Sequence, residues 1–196
     1  MSKFVSYTRN TKETAVQVEL DLTRAGQSNI DSSIPFLDHL LGAMAFHGRF
    51  SLRVKAKGDL EVDNHHLVED TGLVLGEVLH RAVQERGAVQ RFGHAVVPMD
   101  DALAEITLDV SGRPYFVFLG EFPQERSGGF ELVLVREFLN ALANRARINL
   151  HAELRYGNNS HHLSEALFKA LGRVLRQAYE RTDPEQSMST KGTISG

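Results

Sequence analysis

The stretch His65-His66-Leu67-Val68-Glu69 has a near copy 96 residues later, His161-His162-Leu163-Ser164-Glu165. Imidazole nitrogens and carboxylate oxygens are ligands for divalent metal ions. A lone His-His pair reads equally well as a helix cap or a surface feature. Two copies, each opening an apolar-periodic helix, read as a duplicated metal-binding element. On a helix, positions three and four apart share a face, so Glu69 sits beside His65 or His66. Adjacent histidines diverge by about 100° around the axis and do not close on one ion from one helix. The simplest arrangement is two ions, each taking ligands from both copies.

The elements that must position these residues repeat as well. Phe36 to Ala45 matches Leu134 to Ala143 in its apolar pattern at an offset of 98, and Arg49-Phe50-Ser51-Leu52 continues the match in Arg147-Ile148-Asn149-Leu150. A two-residue shortening before Gly157 restores the offset of 96. Alternation predicts strands over Thr14 to Leu22, Phe50 to Ala56, Phe92 to Pro98, Ala102 to Val110, Tyr115 to Leu119 and Ile148 to Leu154. Helices are expected from Pro35 to about Phe46, with Gly48 as the stop, from the first motif to Gly87, from about Glu131 to Asn144, and from His161 to about Arg181. Gly72 and Gly76 lower the helix propensity of the second of these. The pattern is that of an α+β protein. Two duplicated half-domains, residues 1–90 and 91–184, each carry a β-sheet packed on helices and are related by a pseudo-two-fold. Residues 185–196 form a polar tail, expected to be mobile and to close on substrate.

The repeat places His39 and Glu137 at equivalent positions. The expected ligand set is therefore His39, His65, His66 and Glu69 from one half, and Glu137, His161, His162 and Glu165 from the other. Five imidazoles and three carboxylates, without sulfur, suit a borderline or hard divalent ion, with manganese, iron, cobalt and zinc all open. Six-coordinate geometry with open positions would favour manganese. His47, eight positions after His39, lines the same cleft on this reading. His80 and His94 read as surface residues and His151 as structural. Arg91 and Arg113 flank strands; each alone reads as a surface ion pair, but arginine is also the side chain best shaped for phosphate. Ser189-Thr190-Lys191-Gly192 would close over an anion. Asp100-Asp101 reads as turn chemistry.

The whole chain sets outer bounds. It has 196 residues, 42% hydrophobic and 24% charged, an ordinary globular composition. Cysteine is absent, so disulfides and thiolate sites are excluded. The net charge of -3, with no basic tract, argues against nucleic acid. No apolar run approaches the roughly 20 residues that span a bilayer, so no membrane partner is expected. The N-terminal residues have no signal-peptide apolar region, and a cytoplasmic location is expected.

Residues Asp63 to Asp70 and Gly157 to Ala166 resemble the two signature motifs of the imidazoleglycerol-phosphate dehydratase family. Pro35 to His39, Arg91-Phe92-Gly93, Ser111 to Pro114 and Ser189 to Gly192 resemble that family too, in the same order. The resemblance covers nearly the whole chain. It implies a carbon–oxygen lyase of histidine biosynthesis that dehydrates imidazole glycerol phosphate to imidazole acetol phosphate. It also implies two manganese ions and a 24-subunit homo-oligomer with metal sites shared between subunits. One ion would be held by His39, His66, His161 and Glu165, and the other by His65, Glu69, His162 and position 137. Many relatives carry histidine at that last place; here Glu137 stands as the replacement ligand. Some relatives carry a phosphate-touching glutamine where this chain has Ala43. Glu13 is implied to line the substrate site. Arg91, Arg113, Ser189 and Lys191 would hold the phosphate.

The implied mechanism holds the substrate ring as imidazolate between two ions, expels hydroxide through a diazafulvene-like intermediate and loses a side-chain proton to give an enol. Glu165 is the first choice for proton transfer and Glu69 its pseudo-symmetric rival. Two other readings compete: a metal-assembled shell without chemistry, and a di-metal phosphoesterase. The phosphoesterase would need its phosphate held at the ions rather than away from them.

Overall fold

The computed structural model describes residues 4–183, and they fold as two versions of one unit. The first comprises β1 (Val5–Asn10), β2 (Thr14–Asp21), β3 (Asn29–Asp31), α1 (Pro35–Gly48), β4 (Ser51–Gly58) and α2 (His65–Arg86). The second comprises β5 (Phe92–Met99), β6 (Ala102–Asp109), β7 (Tyr115–Leu119), a small hairpin of β8 (Arg126–Ser127) and β9 (Phe130–Glu131), α3 (Val133–Ala146), β10 (Asn149–Tyr156) and α4 (Ser160–Ala178). The sheets have orders β1-β2-β4-β3 and β5-β6-β10-β7. In each, the last-named pair is parallel and the others antiparallel. The duplicated α+β architecture expected from the repeat is therefore present, with the β8–β9 hairpin as an addition to the second unit.

Period-two burial explains the sheets. Val16 and Val18 on β2, and Ala104, Ile106 and Leu108 on β6, are buried while their neighbours are more exposed. The buried faces receive the long helices: α2 packs on β1, β2 and β4, and α4 on β5, β6 and β10. The main helix–helix contacts cross between halves, α2 with α3 and α1 with α4. Across the halves, a Cβ on Gly72 or Gly76 of α2 would meet α3 backbone, so the two helices touch directly. The hydrophobic core is thus a single body shared by both halves.

The crossings explain the helical glycines. A Cβ on Gly72 would stand 2.6 Å from the Phe138 carbonyl oxygen, and one on Gly76 2.7 Å from that of Leu142. The residues that weakened α2 on propensity are the ones that let α3 lie against it. Gly48, the expected stop of α1, lies inside that helix, where a Cβ would meet the Gly172 carbonyl oxygen of α4 at 2.7 Å. The stop is Arg49, in the left-handed region at φ 53, with its N–H on the carbonyls of Ala45 and Phe46. Arg147 ends α3 in the same way at φ 55, on Ala143 and Asn144. The last helix ends at Ala178, short of the expected Arg181, because Arg181 forms a bridge with Val89. Strands β1, β3, β8 and β9 have no counterpart among the sequence expectations.

Candidate metal centre

Both motifs open helices. Ahead of α4, Asn159 has extended backbone and its side chain accepts from the N–H groups of His161 and His162, an N-cap that fixes the first turn. Ahead of α2, the Asp63 carboxylate accepts from the His65 N–H at 2.7 Å. The two histidines of each motif diverge, with ring planes at 87° for His65 and His66 and 89° for His161 and His162.

His39 of α1 meets the second motif on α4. Its Nε2 lies 2.9 Å from Glu165 Oε2, and His161 Nε2 lies 3.3 Å from the same oxygen. Ligand atoms of His39, His161 and Glu165 all lie within 4.8 Å of one another. The cluster draws on both halves and follows from the packing of α1 on α4. Phe36 packs on His161 at 5.3 Å and on the buried Phe130 at 5.3 Å, so the β8–β9 hairpin backs the site. Ser127 Oγ of that hairpin is 3.5 Å from His161 Nδ1.

The other expected ligands are placed as follows. His65 Nε2 is 3.7 Å from Glu69 on the same helix face. Glu137 is half-buried on α3, but among the described residues it does not join His65 and Glu69 in a trio as tight as that of His39, His161 and Glu165. His66 turns Nδ1 to Asp59 at 3.1 Å, with Glu13 at 3.9 Å. His162 turns Nδ1 to Asp101 at 2.7 Å. His47 lies two turns beyond His39 and lines a cavity of about 590 Å³ with Gly42, Arg49 and Arg173. Burial and then Lys169 lower its pKa. Arg91 grips Asp109 through Nε at 2.6 Å and Nη2 at 3.1 Å. Arg113 is exposed beside Ser111. Ser189, Lys191 and the expected tail lie outside the described residues.

Charge is concentrated at Glu165. Burial pushes its carboxyl up, but the Lys169 ammonium, 2.7 Å from Oε1, and His39 outweigh burial and hold it at about 2. Lys169 was missed in the sequence, although Glu165 and Lys169 stand at the four-residue spacing that pairs charges on a helix. The bond from His162, then backbone N–H groups of Asn158 and Asn159, holds Asp101 at about 2. The hydrogen bond to Asp59 is the main cause raising His66. Neither Asp59 nor Asp101 was linked to a histidine in the sequence, since Asp101 lies 61 residues from its partner.

Fold and site together define a class: a duplicated α+β protein with two His-His-x-x-Glu helices, the second of which gathers nitrogen and oxygen ligands with α1 of the other half. The family model of imidazoleglycerol-phosphate dehydratase matches residues 32–175. The Geobacillus sp. (strain WCH70) imidazoleglycerol-phosphate dehydratase is 47% identical over 196 residues, covering 99% of this chain and all of that protein. That of Limosilactobacillus fermentum is 50% identical over 187 residues, 95% of this chain and 96% of that one. Among solved structures, the Staphylococcus aureus enzyme has a TM-score of 0.83 at 34% identity, covering 92% of this chain and 100% of that one. The Pyrococcus furiosus enzyme in complex with (S)-C348 has 0.84 at 38%, covering 95% and 99%. The chain belongs to the imidazoleglycerol-phosphate dehydratase family.

Proposed function

We propose that this protein dehydrates imidazole glycerol phosphate to imidazole acetol phosphate, the hydro-lyase step its family serves in histidine biosynthesis. The observation that carries the reading is the trio His39, His161 and Glu165, assembled between the halves of a family member.

The residues fit a divalent metal. Three ligand atoms converge within 4.8 Å, all nitrogen or oxygen, in a chain without cysteine. Such a donor set suits manganese among the ions left open. His39, His66, His161 and Glu165 would hold one ion, and His65, Glu69, His162 and Glu137 the other. Two bound ions would supply Lewis-acid stabilisation of negative charge on the substrate's imidazole ring. The chain supplies the rest. Proton removal from the substrate side chain is assigned to Glu165, a carboxylate at the cluster itself beside His39 and His161, with Glu69 its counterpart on α2. Glu13 stands beside His66, where it can bind a substrate hydroxyl. Arg91, Arg113, Ser189 and Lys191 are assigned to the phosphate, away from the reacting bonds.

Strand register supports sites shared between subunits of a homo-oligomer, read as a 24-mer. Arg91 precedes β5, whose Phe92 pairs with Asp109; Arg113 precedes β7, whose Tyr115 pairs with Asn149, itself opposite Asp109. Both arginines therefore lie at one end of the second sheet. Asp101, the partner of His162, lies at the other end, in the turn after Met99. The intervening strand has eight residues, about 26 Å of rise. A substrate with three carbons between ring and phosphate cannot span that distance. The arginines of one subunit therefore serve the metal cluster of another. The family match supports the dehydratase and not the phosphoesterase. Among the described residues no helix is long and apolar enough to cross a membrane; the cytoplasm is the proposed location.

The first test is turnover of imidazole glycerol phosphate by metal-stripped protein, with and without manganese, alongside sizing of both states. Manganese-dependent product and growth to a large assembly are expected. Assembly without turnover would favour a shell without chemistry.

A further inference from the structure

We infer that Asp101 and Asp59 are positioning residues: each holds a motif histidine, His162 or His66, in the tautomer with hydrogen on Nδ1 and the Nε2 lone pair turned outward. The inference rests on the metal-centre reading for its purpose, but its geometry stands apart from it.

His162 Nδ1 is 2.7 Å from Asp101 Oδ1. An ionised carboxylate only accepts, so the hydrogen of that bond belongs to Nδ1. A neutral imidazole carries one such hydrogen, which leaves Nε2 with its lone pair. The surroundings of Nε2 agree: the Asn159 amide Nδ2, a donor, lies 3.4 Å away, while the Asp100 carboxylate stands at 3.6 Å, outside hydrogen-bond reach. Asp101 is itself fixed. Its Oδ2 accepts from the Asn158 N–H at 2.6 Å and the Asn159 N–H at 3.1 Å. Its turn is set by Asp100 at φ 48, a conformation aspartate tolerates. One carboxylate thus ties the β5–β6 turn, the loop before α4 and the His162 ring together.

His66 shows the same bond. Its Nδ1 faces both oxygens of Asp59, at 3.1 and 3.4 Å. The two aspartates are not equivalent in the repeat. Asp59 lies between β4 and α2, where the shorter loop of the second half, Gly157-Asn158-Asn159, has no carboxylate, and Asp101 lies in the β5–β6 turn, where the first half has the turn containing Glu13. Duplication of sequence alone therefore does not account for the recurrence: different loops deliver a carboxylate to the same ring atom. The other three motif-type rings differ, since His39, His65 and His161 each present Nε2 to Glu165 or Glu69. Carboxylates behind a ligating histidine fix its tautomer and raise its basicity.

The test uses full-length protein labelled with 15N-histidine. Magic-angle-spinning spectra of the metal-free protein read the tautomers, and competition titration reads manganese affinity. Asp101→Ala and Asp59→Ala should each convert one histidine from the fixed Nδ1–H form to a tautomer mixture and weaken manganese binding by roughly 10- to 100-fold. Asp101→Glu should restore part of both. Should Asp101→Ala fail to fold for want of its two backbone bonds, Asp59→Ala, on a carboxylate without them, decides alone. Unchanged tautomers in a folded variant overturn the inference. If the tautomers shift as expected but the wild-type protein binds no manganese, the positioning stands and the metal-centre reading falls.

Discussion

Glu165 and Glu69 occupy equivalent places in the two motifs, yet they differ in one neighbour. Four residues beyond Glu165 stands Lys169, paired with it at 2.7 Å; four beyond Glu69 stands Leu73. The lysine pairs with the Glu165 carboxylate, so replacing the glutamate with an amide removes the charge and the basic oxygen but leaves the steric shape. Glu165→Gln should lower turnover by roughly 10²-fold or more while most manganese stays bound, read by steady-state rates and metal content. Wild-type turnover would remove Glu165 from proton transfer. Among the described residues Arg113 makes its hydrogen bonds through its backbone, with Ser111 and Asn149, which leaves its exposed guanidinium to meet an anion. Arg113→Ala should raise the Michaelis constant with little change in kcat; an unchanged constant would remove it from the phosphate site.

At the scale of elements, the helix crossings decide stability. Gly72→Ala forces α2 away from the Phe138 carbonyl and should cost about 2 kcal/mol in chemical denaturation. Gly42→Ala on α1 meets nothing within 4 Å and should stabilise by about 0.5–1 kcal/mol. Glu77 joins the same pair of helices. Arg81 of α2 holds it at 2.8 Å and Arg145 of α3 at 2.9 Å, and together they outweigh burial and lower its carboxyl below the ordinary 4.5. A depressed carboxyl contributes stability that is present above its unfolded value and lost as pH falls through the folded one. Glu77→Gln should therefore cost about 1 kcal/mol at pH 7 and progressively less below pH 4.5, read as urea midpoints across pH. A constant cost across that range would mean that the carboxylate charge contributes nothing.

Much of this scale was legible in the sequence. Alternation located β2, β4, β6 and β10, because each of these strands packs one face and solvates the other; β7, whose burial does not alternate, was found at Tyr115–Leu119 as expected. Strand β3 has three residues, and β8 and β9 have two each, too short for any period to register. Gly48 misled because a glycine needed for helix approach looks the same in sequence as one needed for a cap. At the site, ligand types and spacing were readable, since a helix brings neighbours four apart onto one face. The union of His39 with Glu165, 126 residues away, required knowing which helices pack together.

For the whole molecule, the end-to-end separation of arginines and histidines within the second sheet makes a prediction about mixtures. Arg113→Ala and Glu165→Gln each leave intact the residue the other lacks. If a site draws its arginine from one subunit and Glu165 from another, a one-to-one hybrid assembly should recover roughly a quarter of wild-type turnover at low substrate. Recovery at the level of the weaker parents alone would place both residues in one subunit's site and remove the argument for sharing.

The passage of α1 onto α4 and α2 onto α3 bears on ancestry. Separate, identical half-length chains with these contacts would associate as a two-fold dimer, and such a dimer is compelled to present two identical clusters. Fusion into one chain lifts that compulsion. Each copy can then change alone, and here they have: histidine at 39 against glutamate at 137, lysine at 169 against leucine at 73. A substrate whose imidazole carries a side chain on one carbon has two unlike nitrogens. Joining the halves gave the protein two unlike faces to meet them.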